Sequence, residues 1–344
     1  MRADTALAPV TAEGRAEERP DGTTRDPSAF ATRVEHRRSG AVSTADLARA
    51  APGVTVRDFG LNQSATVSVR GSTSDQVVVL LDGLPMNSAA GGGTDLSLLP
   101  VAFVERLTVL RGASGARYGA GAMGGVVEID TVDAAALPPL FGTLSYGSFG
   151  TADASVGTAH RFGDATAVLF GFVRSSSGDF PFLYDDRPQL PGNPLTWRLR
   201  ENNDARRAGA LLKAGWQKDG TRADLMVEAD GGERGLPGSA QAPTQRTRQR
   251  DGRVSAVARA SRLIGPGELE VRGGGRYGEL GLAFEGRPVP PQADARGFGE
   301  LAWRTLWGRH ALEAGVNVGL ERLASAWHGA QQRPILGAWV LDGV

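Results

Sequence analysis

Arg222-Ala223-Asp224-Leu225-Met226-Val227-Glu228-Ala229-Asp230 alternates: Ala223, Leu225, Val227 and Ala229 are apolar, whereas Arg222, Asp224, Glu228 and Asp230 face the other side. A period of two belongs to an extended strand, whose successive side chains leave opposite faces. The pattern returns twice. Leu269, Val271, Gly273, Gly275 and Tyr277 oppose Glu268, Glu270, Arg272 and Arg276; Leu312, Ala314, Val316, Val318 and Leu320 oppose Glu313, Asn317 and Glu321. From Phe141 onward, segments of about ten residues each have one apolar and one strongly polar face.

The connections between these segments alternate in length. Gly163-Asp164 is tight, and a strand near 165–174 is followed by about thirty turn-rich residues up to 204. Then come Lys218-Asp219-Gly220 (short), 231–249 (long), Gly265-Pro266-Gly267 (short), 285–295 (long), Trp307-Gly308 (short) and 328–333. Tight turns on one rim and long loops on the other describe an antiparallel outer-membrane meander with its long loops outside. Trp303, Trp307, Trp327 and Trp339 lie near strand ends, where an interfacial girdle would place them. A soluble β-sandwich also alternates, with its polar face wet and its apolar face packed, so alternation alone leaves a soluble β-rich binding protein open.

Upstream the rules change. Only Phe30, Phe59, Phe103 and Tyr118, of 12 Phe, 6 Trp and 4 Tyr, precede residue 140. Residues 1–29 contain Pro9, Pro20 and Pro27 and interleave Arg with Asp and Glu, as a flexible solvated arm does. Order is expected from Phe30, with a strand over Phe30–Glu35. Ser43 is placed to cap a helix over Thr44–Ala51 that Pro52-Gly53 stops. Val54–Arg57, Ala65–Arg70 and Val77–Leu81 read as strands, the last an unbroken Val-Val-Val-Leu-Leu buried on both faces. Apolar residues at 98, 99, 101, 103, 104 and 107 predict a short helix over Leu96–Arg106; Leu107–Leu110 and Val126–Ile129 are further strands. The division is an arm over 1–29, an α+β domain over 30–135 and the meander over 136–344.

Composition removes several functional classes. The chain has 344 residues, no cysteine, and 38 basic against 38 acidic side chains, of which only Lys213 and Lys218 are lysine. A zero balance gives no electrostatic reason to expect nucleic acid, and no cysteine means no thiolate metal site. No window holds 18 consecutive apolar residues, and Met1-Arg2-Ala3-Asp4 lacks the apolar core of a signal peptide, so the chain is either cytoplasmic or a mature or trimmed form without its export signal. Gly119-Ala120-Gly121-Ala122-Met123-Gly124 fits the dinucleotide fingerprint. That motif must follow a strand directly and open a helix; here eight residues from Arg111 to Tyr118 intervene and a strand follows, leaving a dinucleotide-binding enzyme as a remote alternative. The four histidines are scattered, with no H-E-x-x-H and no G-x-S-x-G, so no catalytic or metal-ligating residue is assigned and no cofactor is implied. Asp179, Asp185 and Asp186 lack EF-hand spacing and read as a solvated acidic loop.

Asp46-Leu47-Ala48-Arg49-Ala50-Ala51-Pro52-Gly53-Val54, Val67-Ser68-Val69-Arg70-Gly71, Val79-Leu80-Leu81-Asp82-Gly83, Glu105-Arg106-Leu107-Thr108-Val109-Leu110-Arg111-Gly112 and Tyr118-Gly119-Ala120-Gly121-Ala122-Met123-Gly124-Gly125-Val126-Val127 stand in fixed order. Together, over roughly residues 43–132, they resemble the plug domain of TonB-dependent outer-membrane receptors. Ala113 stands where that family usually has Pro, and Glu128 and Asp130 replace more usual amide and apolar residues. The resemblance implies an α+β plug inside a 22-stranded transmembrane β-barrel. About ten strands are countable between 141 and 344, so an incomplete barrel is expected, a fragment or truncated product of a longer receptor.

It also implies a non-enzymatic importer of a scarce solute, a cobalamin or ferric-siderophore chelate, in contact with outer-membrane lipid and driven by TonB. Ala8-Pro9-Val10-Thr11-Ala12 resembles the segment that pairs with TonB as an added strand. Arg70 and Arg111, each followed by a glycine that permits close approach, are candidate bidentate donors to carboxylates of the barrel wall. The candidate ligand contacts are apical turns of the plug: Asn62, Gln63 and Ser64; Ser72, Ser74 and Gln76; and Asn87, Ser88, Gly91, Gly92, Gly93 and Thr94, the last group a Gly-rich loop after a rigid strand.

Overall fold

The computed structural model describes residues 11–13, 30–35, 41–91, 93–111, 115–118, 120–134, 137–327 and 329–343. The N-terminal domain contains β1 (Thr11–Glu13), β2 (Phe30–Glu35), α1 (Thr44–Arg49), β3 (Val54–Asp58), β4 (Ala65–Val69), β5 (Val77–Leu81), β6 (Leu84–Pro85), β7 (Val104–Arg111), α2 (Gly115–Tyr118) and β8 (Gly125–Thr131). The all-apolar β5 is buried at every position, as a strand covered on both faces must be, and pairs in parallel with β8. The sheet runs β1-β2-β7-β8-β5-β6, with β3 and β4 a separate hairpin. Ser43 caps α1 by accepting from the Asp46 amide at 3.0 Å, and Leu47 and Ala48 of that helix are fully buried.

The expected helix over Leu96–Arg106 is absent. Two 3-10 turns, Leu96–Leu98 and Val101–Phe103, lead directly into β7. Pro100 supplies no backbone donor and biases Leu99 to the extended conformation it adopts (φ −94°, ψ 116°), which breaks the helix at its centre.

The C-terminal part contains β9 (Leu140–Gly147), β10 (Thr151–Phe162), β11 (Ala165–Ser176), β12 (Pro181–Tyr184), β13 (Thr196–Leu199), β14 (Ala205–Lys218), β15 (Thr221–Gly235), β16 (Arg248–Ile264), β17 (Gly267–Phe284), β18 (Arg287–Trp307), β19 (His310–Ser325) and β20 (Gly329–Gly343). All but β12 and β13 form one ten-stranded antiparallel meander in sequence order, a barrel wall that does not close on itself. A strand that crosses a bilayer takes about 9–11 tilted residues, and β18 has 21.

Two expected loops are strand instead. Over 285–295, β17 and β18 meet at a two-residue turn, Glu285-Gly286, and over 328–333, β20 already begins at Gly329. Pro288, Pro290 and Pro291 all lie within β18. Above Ala293, the last residue of β18 that pairs with β19, the strand has only β17 as a neighbour, and a shift of register opposite Leu280–Leu282 absorbs Pro290-Pro291. A one-sided edge tolerates missing donors.

The faces are inverted relative to a soluble sheet. On β19, Glu313 and Glu321 are 9% and 3% exposed, whereas Val316, Val318 and Leu320 are 50%, 54% and 49% exposed. On β15, Met226, Glu228 and Asp230 are buried while Leu225 is exposed; on β17, Glu270, Arg272 and Arg276 are buried while Val271 and Tyr277 are exposed. A soluble sandwich would do the reverse. The polar face curves around the N-terminal domain, and the apolar face is the one a lipid environment wants. Trp216, Trp303 and Trp307 lie toward the tight-turn ends of their strands, and exposed Trp327 lies at the opposite rim, as a girdle requires. Trp339 departs from that expectation: it is 5% exposed and faces inward.

Candidate functional site

The inner domain is held to the wall in two chemically different ways. On the β9–β16 side the contact is apolar. Phe103, at the end of the second 3-10 turn, packs edge-on against Phe170 (5.5 Å) and Phe172 (5.1 Å) of β11, and Phe170 stacks on Phe141 of β9 (5.4 Å). Leu211, Met226 and Val257 from β14, β15 and β16 complete a core continuous with Val104, Val109 and Ile129 of the domain. Burial of each such side chain is worth roughly 1.5–3 kcal/mol, so this seam is the stronger attachment.

Toward β17–β20 the contact is ionic. Arg117 of α2 reaches Glu300 at 2.8 Å and Glu313 at 3.0 Å, its guanidinium lies 5.5 Å from the Trp339 ring, and its carbonyl accepts from the Asn317 amide. Trp339, opposite Gly315 of β19, thus has its ring beside a plug cation. Arg272 shares Glu300 (2.7 Å), Arg304 shares Glu313 (3.2 Å), and Arg296 and Arg333 converge on Glu321. Every wall carboxylate in this group has an arginine partner, as groups withdrawn from water must.

Further latches join the two parts. Lys213 of β14 bonds the Thr131 carbonyl and hydroxyl (3.1 Å each) and pairs with Asp82 at 3.4 Å. Asp82, in the left-handed region at φ 45°, also accepts from the Thr131 amide at 3.0 Å. Arg234 of β15 pairs with Asp95 (3.0 Å) and bonds Ser97 (2.9 Å). Near the Lys213 latch, burial and then the Asp133 charge push the Glu105 carboxyl above its ordinary value.

The structure divides the ligand residues expected from sequence into two groups. Asn62 donates to Ser176 Oγ (3.1 Å) and the Asn203 carbonyl (2.7 Å), Gln63 donates to Asn203 Oδ1 (2.9 Å) and the Gly235 carbonyl (3.2 Å), and the Ser64 carbonyl accepts from Phe59. Their amides are therefore committed to the rim from which the long loops rise, beside a cavity of about 310 Å³.

The second group lies against β17–β20. Asp75, Asn87, Ser88, Gly91 and Gly93 line a cavity of about 450 Å³ opposite Arg272, Arg296 and Phe298. Asn87 clamps the loop to β5, accepting from the Val79 amide (2.9 Å) and donating to the Val77 carbonyl (2.8 Å), while its carbonyl accepts from Arg276 (2.8 Å). Ser88 accepts from Ala90, and Gly93 (φ +77°) lies against Ser74. Ser72 accepts from Val69 and abuts Gly124; Gln76 accepts from Thr73. The Thr94 hydroxyl is buried without a partner among the described residues. Gly92 lies outside the described residues.

Of the two arginines singled out, Arg70 is exposed in the left-handed region (φ 52°), and Arg111 donates to the Pro52 carbonyl within its own domain. Arg117, which no motif marked, reaches the wall carboxylates Glu300 and Glu313; Lys213 and Arg234 were equally unsignalled, although Asp82, the partner of Lys213, stands in one of the quoted motifs. Ala8, Pro9 and Val10 lie outside the described residues; Thr11 and Ala12 lie in β1, paired with Arg33 and Thr32 of β2.

Residues 24–126 match the model of the TonB-dependent receptor plug domain. Over 150 residues, 43% of this chain and 24% of the relative, the sequence is 31% identical to the vitamin B12 transporter BtuB of Vibrio vulnificus (strain YJ016). The fold is similar to the siderophore receptor PirA of Acinetobacter baumannii (TM-score 0.66, 17% identity, 91% of this chain and 54% of that one). It is also similar to the copper transporter OprC (TM-score 0.65, 16% identity, 95% and 49%). The chain thus spans about a quarter of the length of that curated relative and about half of those solved structures.

Proposed function

We propose that this chain, a TonB-dependent receptor by its plug and by the stretch of barrel wall around it, serves an outer-membrane importer that takes a scarce metal chelate or cobalamin from outside and passes it inward past the plug. The observation that carries this reading is the inverted wall: charged side chains buried around a globular plug, apolar side chains turned outward. Chemistry at a reacting centre is no part of the task. Binding outside and release inside require a plug that is firmly seated yet able to yield, and its two attachments differ in kind in the way that task needs. The relatives named above are transport receptors, and the energy source we assign is the TonB partner, which would pair as an added strand with residues 8–12. The cavity against β17–β20, with the loop 87–94 at its side, is the contact region we assign to the ligand.

The test uses the protein expressed from its complete reading frame. It is expected in the outer-membrane fraction, with uptake that disappears when TonB is deleted. Val10→Pro, which removes a main-chain donor from the pairing segment, should abolish uptake while surface binding stays intact. Recovery in the soluble fraction, or uptake indifferent to both changes, would overturn the reading.

A further inference from the structure

Between β11 and β14 the chain folds back as the β12–β13 hairpin, in which Phe182 stands opposite Arg198, Leu183 opposite Trp197 and Tyr184 opposite Thr196. Opposite residues share a face. One face therefore carries Phe182, Tyr184 and Arg198; the other carries Leu183 and Trp197, 50% and 70% exposed. Phe180 extends the first face into a row of rings: Phe149 to Phe180 5.8 Å, Phe180 to Phe182 6.4 Å, Phe182 to Tyr184 6.3 Å, the planes 63–82° apart. Two guanidiniums lie along the row, Arg198 at 4.2 Å from the Tyr184 ring and Arg200 at 5.9 Å from the Phe182 ring.

The two arginines are not equivalent. Arg200 donates to the Gly238 carbonyl in the next long loop. Arg198 is exposed, and no carboxylate among the described residues pairs with it. Two acids on the same loop are otherwise engaged: Asp185 and Asp186 both accept from the Asn193 amide, at 2.6 and 2.8 Å. A flat, uncompensated cation held over a ring, beside a file of further rings, is matched by a flat anion. Ring edges and faces accept another aromatic ring at 4.5–7 Å, about the spacing already present, and the guanidinium adds charge-assisted hydrogen bonds to phenolate oxygens.

We propose that this hairpin face is a docking platform for a planar aromatic anion, and that the chelate received is built from catecholate or phenolate rings. The proposal rests on the receptor reading above and narrows its substrate class. An aliphatic hydroxamate chelate brings no ring, and a corrinoid brings no anionic aromatic ring, so neither uses both features.

The experiment is titration calorimetry on the protein expressed from its complete reading frame and purified in detergent, with ferric enterobactin, ferrioxamine B and cyanocobalamin as probes. Ferric enterobactin should bind best, and Arg198→Ala and Phe182→Ala should each weaken it about tenfold. Arg198→Lys, which keeps the charge and the hairpin but loses the flat stacked fork, should fall between. Trp197→Ala, on the opposite face of the same hairpin, should change affinity less than about twofold. Unchanged binding in Arg198→Ala and Arg198→Lys, an equal loss in Trp197→Ala, or tight binding of only a hydroxamate or a corrinoid overturns the platform and leaves the receptor reading standing. No binding of any probe, together with no TonB-dependent uptake, overturns both.

Discussion

Truncation of Phe103 separates the apolar seam from the ionic one. Its side chain is 1% exposed and meets Phe170 and Phe172 edge-on. Replacing a buried Phe by Ala costs about 3–5 kcal/mol in lost transfer and cavity terms. Two aromatic pairs at about 0.5–1.5 kcal/mol each lie across the seam, so about 1–3 kcal/mol of that loss weakens the hold of the wall on the plug. The rest falls on the plug's own core. The chain has no cysteine, so one thiol introduced at the buried Ala134 reports opening of the seam by its rate of maleimide labelling. Phe103→Ala should raise that rate by about tenfold or more, at 1.4 kcal/mol per factor of ten. Phe170→Ala should do much the same from the wall side while leaving every plug side chain in place. The double variant should fall short of additivity by about 1 kcal/mol. Labelling rates equal to the parent's in both single variants, or strict additivity, would refute the idea that the apolar seam seats the plug.

Arg117→Met should have a smaller effect in the same assay, about 1–2 kcal/mol rather than the 3–5 of an orphaned buried charge, because Glu300 keeps Arg272 and Glu313 keeps Arg304; a loss above that range would mean the network fails as a unit. Gly83→Ala places a Cβ on the Arg272 guanidinium at φ +86° and should cost about 1–3 kcal/mol, read as a fall in thermal midpoint in detergent. Glu105 supplies a pH signature. Its folded pKa lies above the ordinary 4.5, so the folded plug binds more protons than the unfolded chain as pH rises from that value through the raised one, and stability falls over that window. In Glu105→Gln this component should vanish; urea midpoints with the same pH slope in variant and parent would assign the slope to other groups.

What could be read beforehand was local. Val77–Leu81 carries its burial in its composition, Ser43 announces its cap through Asp46, and the two-faced strands show their period within nine residues. Errors arose where a neighbour overrode composition. Apolar spacing over Leu96–Arg106 fitted a helix until Pro100 is weighed, and the stretch 285–295 fitted a long loop because nothing local shows that β18 continues there with one neighbour. The site itself was the least legible part. Arg117 lies 183 residues from Glu300 and Lys213 lies 131 from Asp82, separations across which no pattern in the chain speaks. Asn62 and Gln63 stand in an apical turn of the plug, yet wall residues more than a hundred positions away occupy their amides.

The inverted wall bears on how such a chain travels before it folds. Its outward apolar surface is assembled from every second residue of separate strands, so an outer-membrane protein built on this plan offers no long apolar run in its wall for an inner-membrane insertion machinery to detain. Among the described residues, no helix is long and apolar enough to cross a bilayer. A polypeptide written this way passes through one membrane as a polar thread and becomes a membrane protein only at the next, when pairing of neighbouring strands gathers the scattered apolar positions onto one side. Substitutions that made β15 or β19 continuously apolar would leave the outer surface unchanged, yet they would both orphan the arginines paired with Glu228, Asp230, Glu313 and Glu321 and create the kind of run that halts a segment in transit.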